Sequence, residues 1–233
     1  MALADQAGTS RTIKPDGTIV TPADSKVEEF LRGELTRLVP DTGIYGEEMG
    51  SSAEGPNGLW CLDPIDGTSN YAFRSPLWGV SAGLVRGEDV LIGAVYLPAL
   101  NEMYIAAMGS GASLNGKPLT KIPPGSIRKE ELVSYPDRIL RMYPNSKLPG
   151  KMRHTGAFVI DAVFTAAQRF RGLLGVREKL YDVAASLCIG HEVGAEIRYA
   201  DGSPLKLGPL KPSTTKLEKG WIMFPPDTGF RLP

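Results

Sequence analysis

Residues 60–68 read Trp-Cys-Leu-Asp-Pro-Ile-Asp-Gly-Thr, an apolar run that ends in two closely spaced acids. The apolar run predicts a strand, so Asp63 and Asp66 lie at a strand end, where their side chains can project together into a cleft. Pro64 fixes its own φ angle, and Gly67 permits a backbone conformation that other residues resist. The segment therefore predicts two carboxylates and a backbone carbonyl held at one place.

An oxygen-rich corner of this kind suits a hard divalent cation. Magnesium prefers six oxygen ligands and usually binds one or two carboxylates together with waters and a substrate phosphate. Thr68 and Ser69 begin the next segment, and their backbone amides are well placed for a phosphate oxygen. The bare pattern is equally compatible with a polar turn capped by acids, so spacing alone leaves both interpretations open.

Composition narrows the classes of function. The 233 residues suffice for one large domain or two closely packed halves. The 26 basic and 26 acidic residues cancel, so no net charge draws the chain to a nucleic acid polymer or to an anionic membrane. Cys61 and Cys188 form no Cys-x-x-Cys pair, and no apolar run approaches the roughly 20 residues of a membrane span. We expect a cytoplasmic protein that binds a small molecule at a local site.

Hydrophobic periodicity predicts the elements around this segment. Residues 1–23 predict a mobile arm, and Asp24 caps a helix predicted over residues 25–39. The turn Asn115-Gly116 predicts a hairpin. The remaining predicted strands and helices are strands at residues 59–62, 79–85, 90–96, 102–107, 196–199 and 220–224, and helices at residues 156–170 and 182–193. This irregular alternation indicates an α/β fold of mixed layers (α+β layered) and not an all-parallel sheet.

Four segments together match a known family. The pattern Trp60-x-x-Asp63-Pro-Ile-Asp66-Gly-Thr68-x-Asn70-Tyr71 resembles the signature of the inositol monophosphatase superfamily. Three further matches follow the family's order: Asp16-Gly17-x-x-Val20-Thr21-x-x-Asp24, Gly46-Glu47-Glu48, and Asp182-Val183-Ala184-Ala185 followed by Glu192 and Gly194. The resemblance covers about residues 14–194. It implies alternating helix and sheet layers of the sugar phosphatase type and a magnesium-dependent, lithium-sensitive phosphomonoesterase.

The resemblance also implies a role for each matching residue. The ligands of two or three Mg²⁺ ions would be Glu47, Asp63, the carbonyl of Ile65, Asp66 and Asp182. Thr68, supported by Asp24, would help to take a proton from the water that attacks phosphorus. The substrate-binding positions would be Asp66, Gly67, Thr68, Gly156, Ala157 and Asp182. Residues 1–120 would then form a metal-binding half. Residues 121–233 would form a half that contains the last ligand and the specificity segment, by which we mean the residues before Asp182 that set substrate choice in the family. The two halves would be joined in one compact unit near the proline-rich residues 121–153.

Each acid also has a structural interpretation. Asp24 and Asp182 precede helical patterns, where acids commonly cap the helix and favour its dipole. Glu47 and Glu48 lie in a polar loop, where a solvated pair is ordinary, and only the family match singles out Glu47. The two histidines, His154 and His191, and Cys61 are expected to be polar or packed residues and not catalytic ones.

The specificity segment departs from the family pattern. The acid expected to grip inositol hydroxyls falls at about Gly175, the expected Trp is Tyr181, and Ala157 lacks the expected hydroxyl. Nearby, Arg169, Arg171 and Arg177 either bind a second substrate phosphate or line a solvated face.

The function predicted is hydrolysis of a small phosphorylated metabolite, most similar to inositol 1-phosphate. The alternatives are a fructose-1,6-bisphosphatase, a histidinol-phosphatase, a 3′,5′-bisphosphate nucleotidase and a catalytically inactive, metal-binding regulatory relative. The resemblance also implies a homodimer, which the short ends of this chain could weaken.

Overall fold

The computed structural model describes residues 6, 10–15, 17–144, 147–207 and 216–232. In these residues the helices are α1 (Pro22–Leu38), α2 (Thr68–Ala72), α3 (Asp137–Met142), α4 (Phe158–Ala166) and α5 (Leu180–Glu192), and a 3₁₀ turn spans Pro98–Leu100. The strands are β1 (Thr12–Ile13), β2 (Ile19–Val20), β3 (Gly43–Gly46), β4 (Leu59–Asp66), β5 (Gly79–Arg86), β6 (Asp89–Leu97), β7 (Glu102–Ala107), β8 (Gly111–Leu114), β9 (Lys117–Pro118), β10 (Leu132–Ser134), β11 (Lys151–Arg153), β12 (Gly172–Gly175), β13 (Glu196–Tyr199) and β14 (Trp221–Phe224).

Strands β3 to β9 form a sheet in chain order within residues 43–118. Strands β3 and β4 are parallel, and every later pair in this sheet is antiparallel. The pairing of β4 with β5 shifts between Asp63 and Asp66. Pro64 lies inside this irregularity because it has no N–H to give to a strand partner. The shift lies where the two acids leave the sheet.

A second, mixed sheet has the order β11-β10-β12-β14-β13, with β11, β10 and β12 parallel and the other pairs antiparallel. Helices α4 and α5 lie between the two sheets, where their apolar residues join one large buried cluster. Helix α1 covers the outer face of the first sheet, and α3 covers the outer face of the second. The described residues thus form alternating helix and sheet layers, which confirms the predicted fold class.

Helix α5 approaches the first sheet closely because the facing strand residues are small. A Cβ added to Gly83 on β5 would lie 2.6 Å from the Cβ of Ala184, and one added to Gly93 on β6 would collide with the carbonyl of Ala185. Gly83, Gly93, Ala184 and Ala185 therefore let the helix backbone lie against the strands. Asp182 lies in the first turn of the same helix, so this contact fixes how far Asp182 lies from the first sheet.

The start of α1 corrects one prediction. The helix begins at Pro22, its N-cap is Thr21, and Asp24 is the third helical residue and not the cap. Pro22 explains the difference, since proline at the first helical position lacks only an N–H that the helix leaves unpaired. The Asp24 carboxylate accepts hydrogen bonds from the Thr21 amide at 2.8 Å and the Thr21 hydroxyl at 2.6 Å.

The mobile arm predicted for residues 1–23 is also wrong in part, because β1 and β2 form an antiparallel hairpin there. Residues 1–5, 7–9 and 16 of that arm lie outside the described residues, and so does the Asp16 of the family match. The helix predicted over residues 156–170 is shorter at both ends. Gly156 adopts a φ of +81° before it and Gln168 a φ of +58° after it, and neither conformation is helical.

The other predicted elements are confirmed within a few residues. The Asn115-Gly116 turn joins β8 to β9 with positive φ at both positions, as a tight hairpin requires. Nothing in the fold tests the two predicted halves, which stay a prediction. In the described part of the chain, every helix is too short or too polar to cross a membrane.

The contact between α5 and the first sheet can be tested by a glycine pair. We expect Gly83→Ala to lower the free energy of unfolding by about 1–3 kcal/mol, because the new methyl group meets Ala184 in a packed core. The control is Gly33→Ala on the exposed side of α1, where nothing lies within 4 Å and where alanine should stabilise the helix by about 0.5–1 kcal/mol. Urea unfolding of the three proteins measures both effects. Equal stability of the two variants would contradict the packing described.

Candidate active site

Four acids from three separate parts of the chain converge beside the end of β4. Glu47 follows β3, Asp63 and Asp66 come from β4, and Asp182 comes from α5. The charges of Glu47, Asp66 and Asp182 raise the pKa of Asp63, and Glu47 also raises the pKa of Asp66 and of Asp182, so these carboxylates lie within electrostatic reach of one another. The structure therefore brings together all four acids that the sequence predicted as metal ligands.

Asp63 lies deepest in this cluster. It is 2 % exposed, and its Oδ1 accepts a hydrogen bond of 3.1 Å from the backbone amide of Ile65. Burial raises the pKa of Asp63 well above its usual value, and the charges of Glu47, Asp66 and Asp182 raise it further. An ionised carboxylate at this position needs a cation nearby.

Asp66 connects the cluster to α4. Its Oδ2 accepts a short hydrogen bond from the backbone amide of Val159. Burial raises the pKa of Asp66 to about 7, the charges of Asp161 and Glu47 add to the rise, and the amides of Val159 and Gly67 oppose it. This acid is therefore positioned by a backbone contact that does not depend on a ligand.

Asp182 lies both at the start of a helix and in the acid cluster. It is the third residue of α5, and its Oδ2 accepts a hydrogen bond of 2.6 Å from the Lys179 amide at the start of the helix. Burial and the charges of Glu47 and Asp66 raise the pKa of Asp182 well above its usual value. The same carboxylate thus closes the first turn of α5 and joins the acid cluster.

Glu47 has the nearest cation of the group. The Nζ of Lys14, between β1 and β2, lies 3.2 Å from the Glu47 Oε1 and also contacts Glu48. Burial raises the pKa of Glu47, and Lys14 counteracts part of that rise. Lys14 is a site residue that the sequence interpretation missed, although it is the first residue of the matched region.

Thr68 and Asp24 meet as the resemblance implied. The Thr68 Oγ1 lies 3.4 Å from the Asp24 Oδ1 and 2.9 Å from the carbonyl oxygen of Ile65. Asp24 is fully buried, and burial raises its pKa. The hydroxyl thus lies between a carboxylate and the backbone carbonyl that was predicted as a ligand.

The predicted phosphate contacts lie on one surface beside these acids. A Cβ on Gly67 would lie 2.8 Å from the Ala157 Cβ, and Gly67 itself has a φ of +83°. The Asn70 Nδ2 donates to the carbonyl of Thr155 at 2.9 Å and packs beside Gly156. Asn70 belongs to the matched sequence pattern, and the structure shows that it joins residues 155–157 to α2.

Two buried tyrosines form the wall beside the acids. The rings of Tyr45, next to Gly46 on β3, and Tyr181, next to Asp182, meet edge to face with centroids 5.2 Å apart. Burial raises the pKa of Tyr45 to about 12, with Asp182 adding to the rise. The hydroxyls therefore stay neutral beside the acid cluster.

The donor set suits a hard cation, although the side chains are not arranged as a finished ligand shell. Within the described ranges, no three His, Cys, Asp or Glu side chains form a group that could hold a metal ion in their present orientations. The backbone amides and Lys14 explain this, because each acid is turned toward its own hydrogen-bond donor. Oxygen ligands, mutual repulsion and a lysine ammonium already bound to Glu47 all fit a hard cation such as Mg²⁺.

The three arginines of the specificity segment contact acids. Arg169 donates to both carboxylate oxygens of Glu102 at 2.9 and 2.7 Å. Longer ion pairs join Arg171 to Glu131 at 3.7 Å and Arg177 to Glu218 at 3.8 Å. These contacts favour the interpretation that the arginines line the surface, and they give no support to a second phosphate there.

The remaining singled-out side chains are not part of the acid cluster. The His154 Nδ1 lies 3.3 Å from Asp161, His191 packs on α5 with a pKa lowered by burial, and Cys61 is fully buried in the core. Gly175 lies on β12 against the indole of Trp221, so it offers no acid for an inositol hydroxyl.

The comparison with protein families agrees with this arrangement of residues. The model of the inositol monophosphatase family matches residues 2–221. The chain belongs to the inositol monophosphatase family. The family assignment places this protein among the phosphatases.

Known members of the inositol monophosphatase family support the assignment at the level of sequence and fold. A fructose-1,6-bisphosphatase/inositol-1-monophosphatase of Aquifex aeolicus is 35 % identical over 190 residues, covering 78 % of this chain and 72 % of that protein. The structure of IMPase TM1415 from Thermotoga maritima has a TM-score of 0.79 and 27 % identity, covering 97 % of this chain and 86 % of the other. An IMPase/NADP phosphatase structure complexed with Mg²⁺ and phosphate has a TM-score of 0.77 and 20 % identity, covering 97 % and 85 %.

The raised pKa values imply a stability that depends on pH and on Mg²⁺. A carboxyl whose folded-state pKa is raised from 3.8 to about 7, as for Asp66, stabilises the fold at low pH and loses that contribution as the pH rises through 7. In EDTA we therefore expect the melting temperature to fall between pH 5 and pH 8, and Mg²⁺ to restore it at pH 8. Asp66→Asn should reduce this fall in melting temperature, whereas Asp89→Asn, at the exposed first residue of β6, should not. Melting curves that are flat with pH in EDTA would contradict the mutual repulsion of the acids.

Proposed function

We propose that this protein hydrolyses a small phosphate monoester with Mg²⁺ as its cofactor, by attack of water on phosphorus. The convergence of Glu47, Asp63, Asp66 and Asp182 beside the Thr68–Asp24 pair carries the proposal. These groups come from distant parts of the sequence, and one buried and three half-buried carboxylates so close together would repel one another without a cationic partner.

The residues that would hold Mg²⁺ are Glu47, Asp63, the Ile65 carbonyl, Asp66 and Asp182, and we propose two or three ions. When bound, the metal supplies a lowered pKa for an attacking water and positive charge for the phosphoryl oxygens. A structural neighbour complexed with Mg²⁺ and phosphate supports the choice of metal. Asp63 would contribute the most deeply buried carboxylate of this set.

The chain's own groups position the reactants and receive the proton. The Thr68 hydroxyl lies beside Asp24, so a proton received at the Thr68 Oγ can be balanced by the Thr68 proton moving to the Asp24 carboxylate. The backbone amides of Thr68 and Ser69, at the start of α2, would bind phosphoryl oxygens. Gly156 and Ala157, fixed by Asn70, form the opposite side of the phosphate position. No covalent intermediate is needed.

The substrate proposed first is a sugar or polyol monophosphate of the inositol 1-phosphate type. Fructose 1,6-bisphosphate is the second candidate, because the Aquifex aeolicus relative carries both activities in its name. Histidinol phosphate and adenosine 3′,5′-bisphosphate remain alternatives that share the same metal chemistry. We also keep a cytoplasmic location and a homodimer as expectations.

The metal assignment can be tested at Asp63. We expect Asp63→Asn to lower kcat/KM by more than 10³-fold with its fold intact, because the central charge is lost while the backbone contact of residue 63 can be kept. Asp89→Asn, which also removes one carboxylate, should leave kcat/KM unchanged. Phosphate release and circular dichroism measure activity and folding. Near-native turnover by folded Asp63→Asn would refute the role of this residue.

The substrate class can be tested with a panel. We expect phosphate release from one or more of inositol 1-phosphate, fructose 1,6-bisphosphate, histidinol phosphate and adenosine 3′,5′-bisphosphate with Mg²⁺, and none with EDTA. Lithium should inhibit the active reaction by competing for a Mg²⁺ position. Absence of turnover in a folded sample that binds Mg²⁺ would favour the inactive, metal-binding relative.

A further inference from the structure

Helix α1 carries a buried charged residue that catalysis does not use. Glu28 is 0 % exposed, although charged residues are rarely buried without a partner. Its Oε2 accepts the backbone amide of Glu48 at 2.8 Å, and its Oε1 accepts that of Met49 at 3.0 Å. Both carboxylate oxygens therefore bind the loop that follows β3.

Arg32, one helical turn later, completes the contact. Its Nε and a terminal nitrogen lie 2.9 and 2.7 Å from the Glu28 Oε1. The same terminal nitrogen donates to the carbonyl of Gly50. Glu28 and Arg32, which we call the Glu28–Arg32 clamp, thus bind residues 48, 49 and 50 in turn.

The loop is shaped to receive this clamp. A Cβ on Gly46 would collide with the Glu28 carboxylate and lie 2.8 Å from the Arg32 guanidinium. The Gly46 amide donates to the Gly50 carbonyl at 3.2 Å and closes the loop. The amide of Glu47 donates to the Leu62 carbonyl on β4, also at 3.2 Å. The backbone on both sides of Glu47 is therefore fixed.

The position of the clamp on α1 gives it a functional meaning. Asp24 and Glu28 are four residues apart and share one face of the helix. Asp24 contacts Thr68, and Glu28 contacts the loop that holds Glu47. An apolar residue at position 28 would avoid the cost of a buried charge, but it would leave the loop amides unpaired.

We infer that Glu28, held by Arg32, is a positioning residue that sets the affinity of the site for Mg²⁺ by fixing the backbone of Glu47. This inference rests on the proposed function, since Glu47 is there a metal ligand. Glu28 touches neither the substrate nor the metal; it acts through the loop. Groups that orient metal ligands in this way commonly change metal affinity by about 10–100-fold when they are replaced.

The test compares Glu28→Gln with a matched control on the same helix. Glu34→Gln breaks the exposed Glu34–Arg37 ion pair, which has a similar spacing but touches no loop. Mg²⁺ binding is measured by titration calorimetry, and backbone exchange at residues 47–50 by hydrogen–deuterium mass spectrometry. We expect Glu28→Gln to weaken Mg²⁺ binding about 10–100-fold and to speed exchange at residues 47–50. At saturating Mg²⁺, kcat should recover to within a few-fold of the wild type, and Glu34→Gln should match the wild type throughout.

A second variant covers the case in which Glu28→Gln fails to fold. Arg32→Lys keeps the charge but cannot bridge Glu28 and Gly50 with one planar group, so a smaller loss of Mg²⁺ affinity is expected. Unchanged Mg²⁺ affinity in a folded variant, with only stability reduced, would overturn the inference and leave the proposed function standing. If Glu28→Gln weakens Mg²⁺ binding but the wild-type protein releases no phosphate from any substrate, the inference stands and the proposed function is overturned. A wild-type protein that binds no Mg²⁺ would overturn both.

Discussion

Repulsion between buried carboxylates is the constraint around which this structure is built. Asp63, Asp66 and Asp182 are drawn from two elements, and burial and the charges of neighbouring acids raise the pKa of each. Such a group is stable only if its members are fixed by contacts that do not depend on their own attraction. The backbone amides of Ile65, Val159 and Lys179 provide those contacts, one for each acid. The fold therefore holds these carboxylates together in spite of their repulsion, and a bound cation would relieve that repulsion.

The layers of the fold supply the required rigidity. The first sheet presents β4 with its local irregularity at Pro64, so that both acids of that strand face one place. Small residues let helix α5 lie against the same sheet. This close packing brings Asp182, in the first turn of α5, beside the two acids of β4. Helix α1 covers the other face and contributes Asp24 and Glu28 from successive turns. Elements from both faces of one sheet thus meet at its edge, where the chemistry is proposed.

Much of this could be predicted from sequence because local rules apply. The hairpin at Asn115-Gly116, the strand at Glu102–Ala107 and the strand at Glu196–Tyr199 follow from turn chemistry and alternation, and the structure confirms them. The acid cluster was predicted through four ordered motif matches, since spacing alone could not separate a ligand from a helix cap. Asp182 shows why, because it closes the first turn of α5 and also lies in the acid cluster.

The sequence did not indicate the features that depend on tertiary contact. Glu28 and Arg32 have the spacing of an ordinary surface ion pair on a helix, and only the position of the loop after β3 shows that Glu28 is buried. Lys14 lay in a stretch interpreted as a mobile arm, yet its ammonium reaches Glu47. The start of α1 differs from the predicted one because Pro22, and not the residue after Asp24, begins the first turn.

The most direct measurement of the central claim is the number of protons released when Mg²⁺ binds. Carboxyls with raised pKa values hold protons near neutral pH and must lose them to a cation. Titration calorimetry at pH 6.5, repeated in two buffers of different ionisation enthalpy, gives that number. We expect Mg²⁺ to bind with a net release of protons, and we expect the number released to decline toward pH 8.5. Binding without proton release at pH 6.5, or no binding at all, would contradict it.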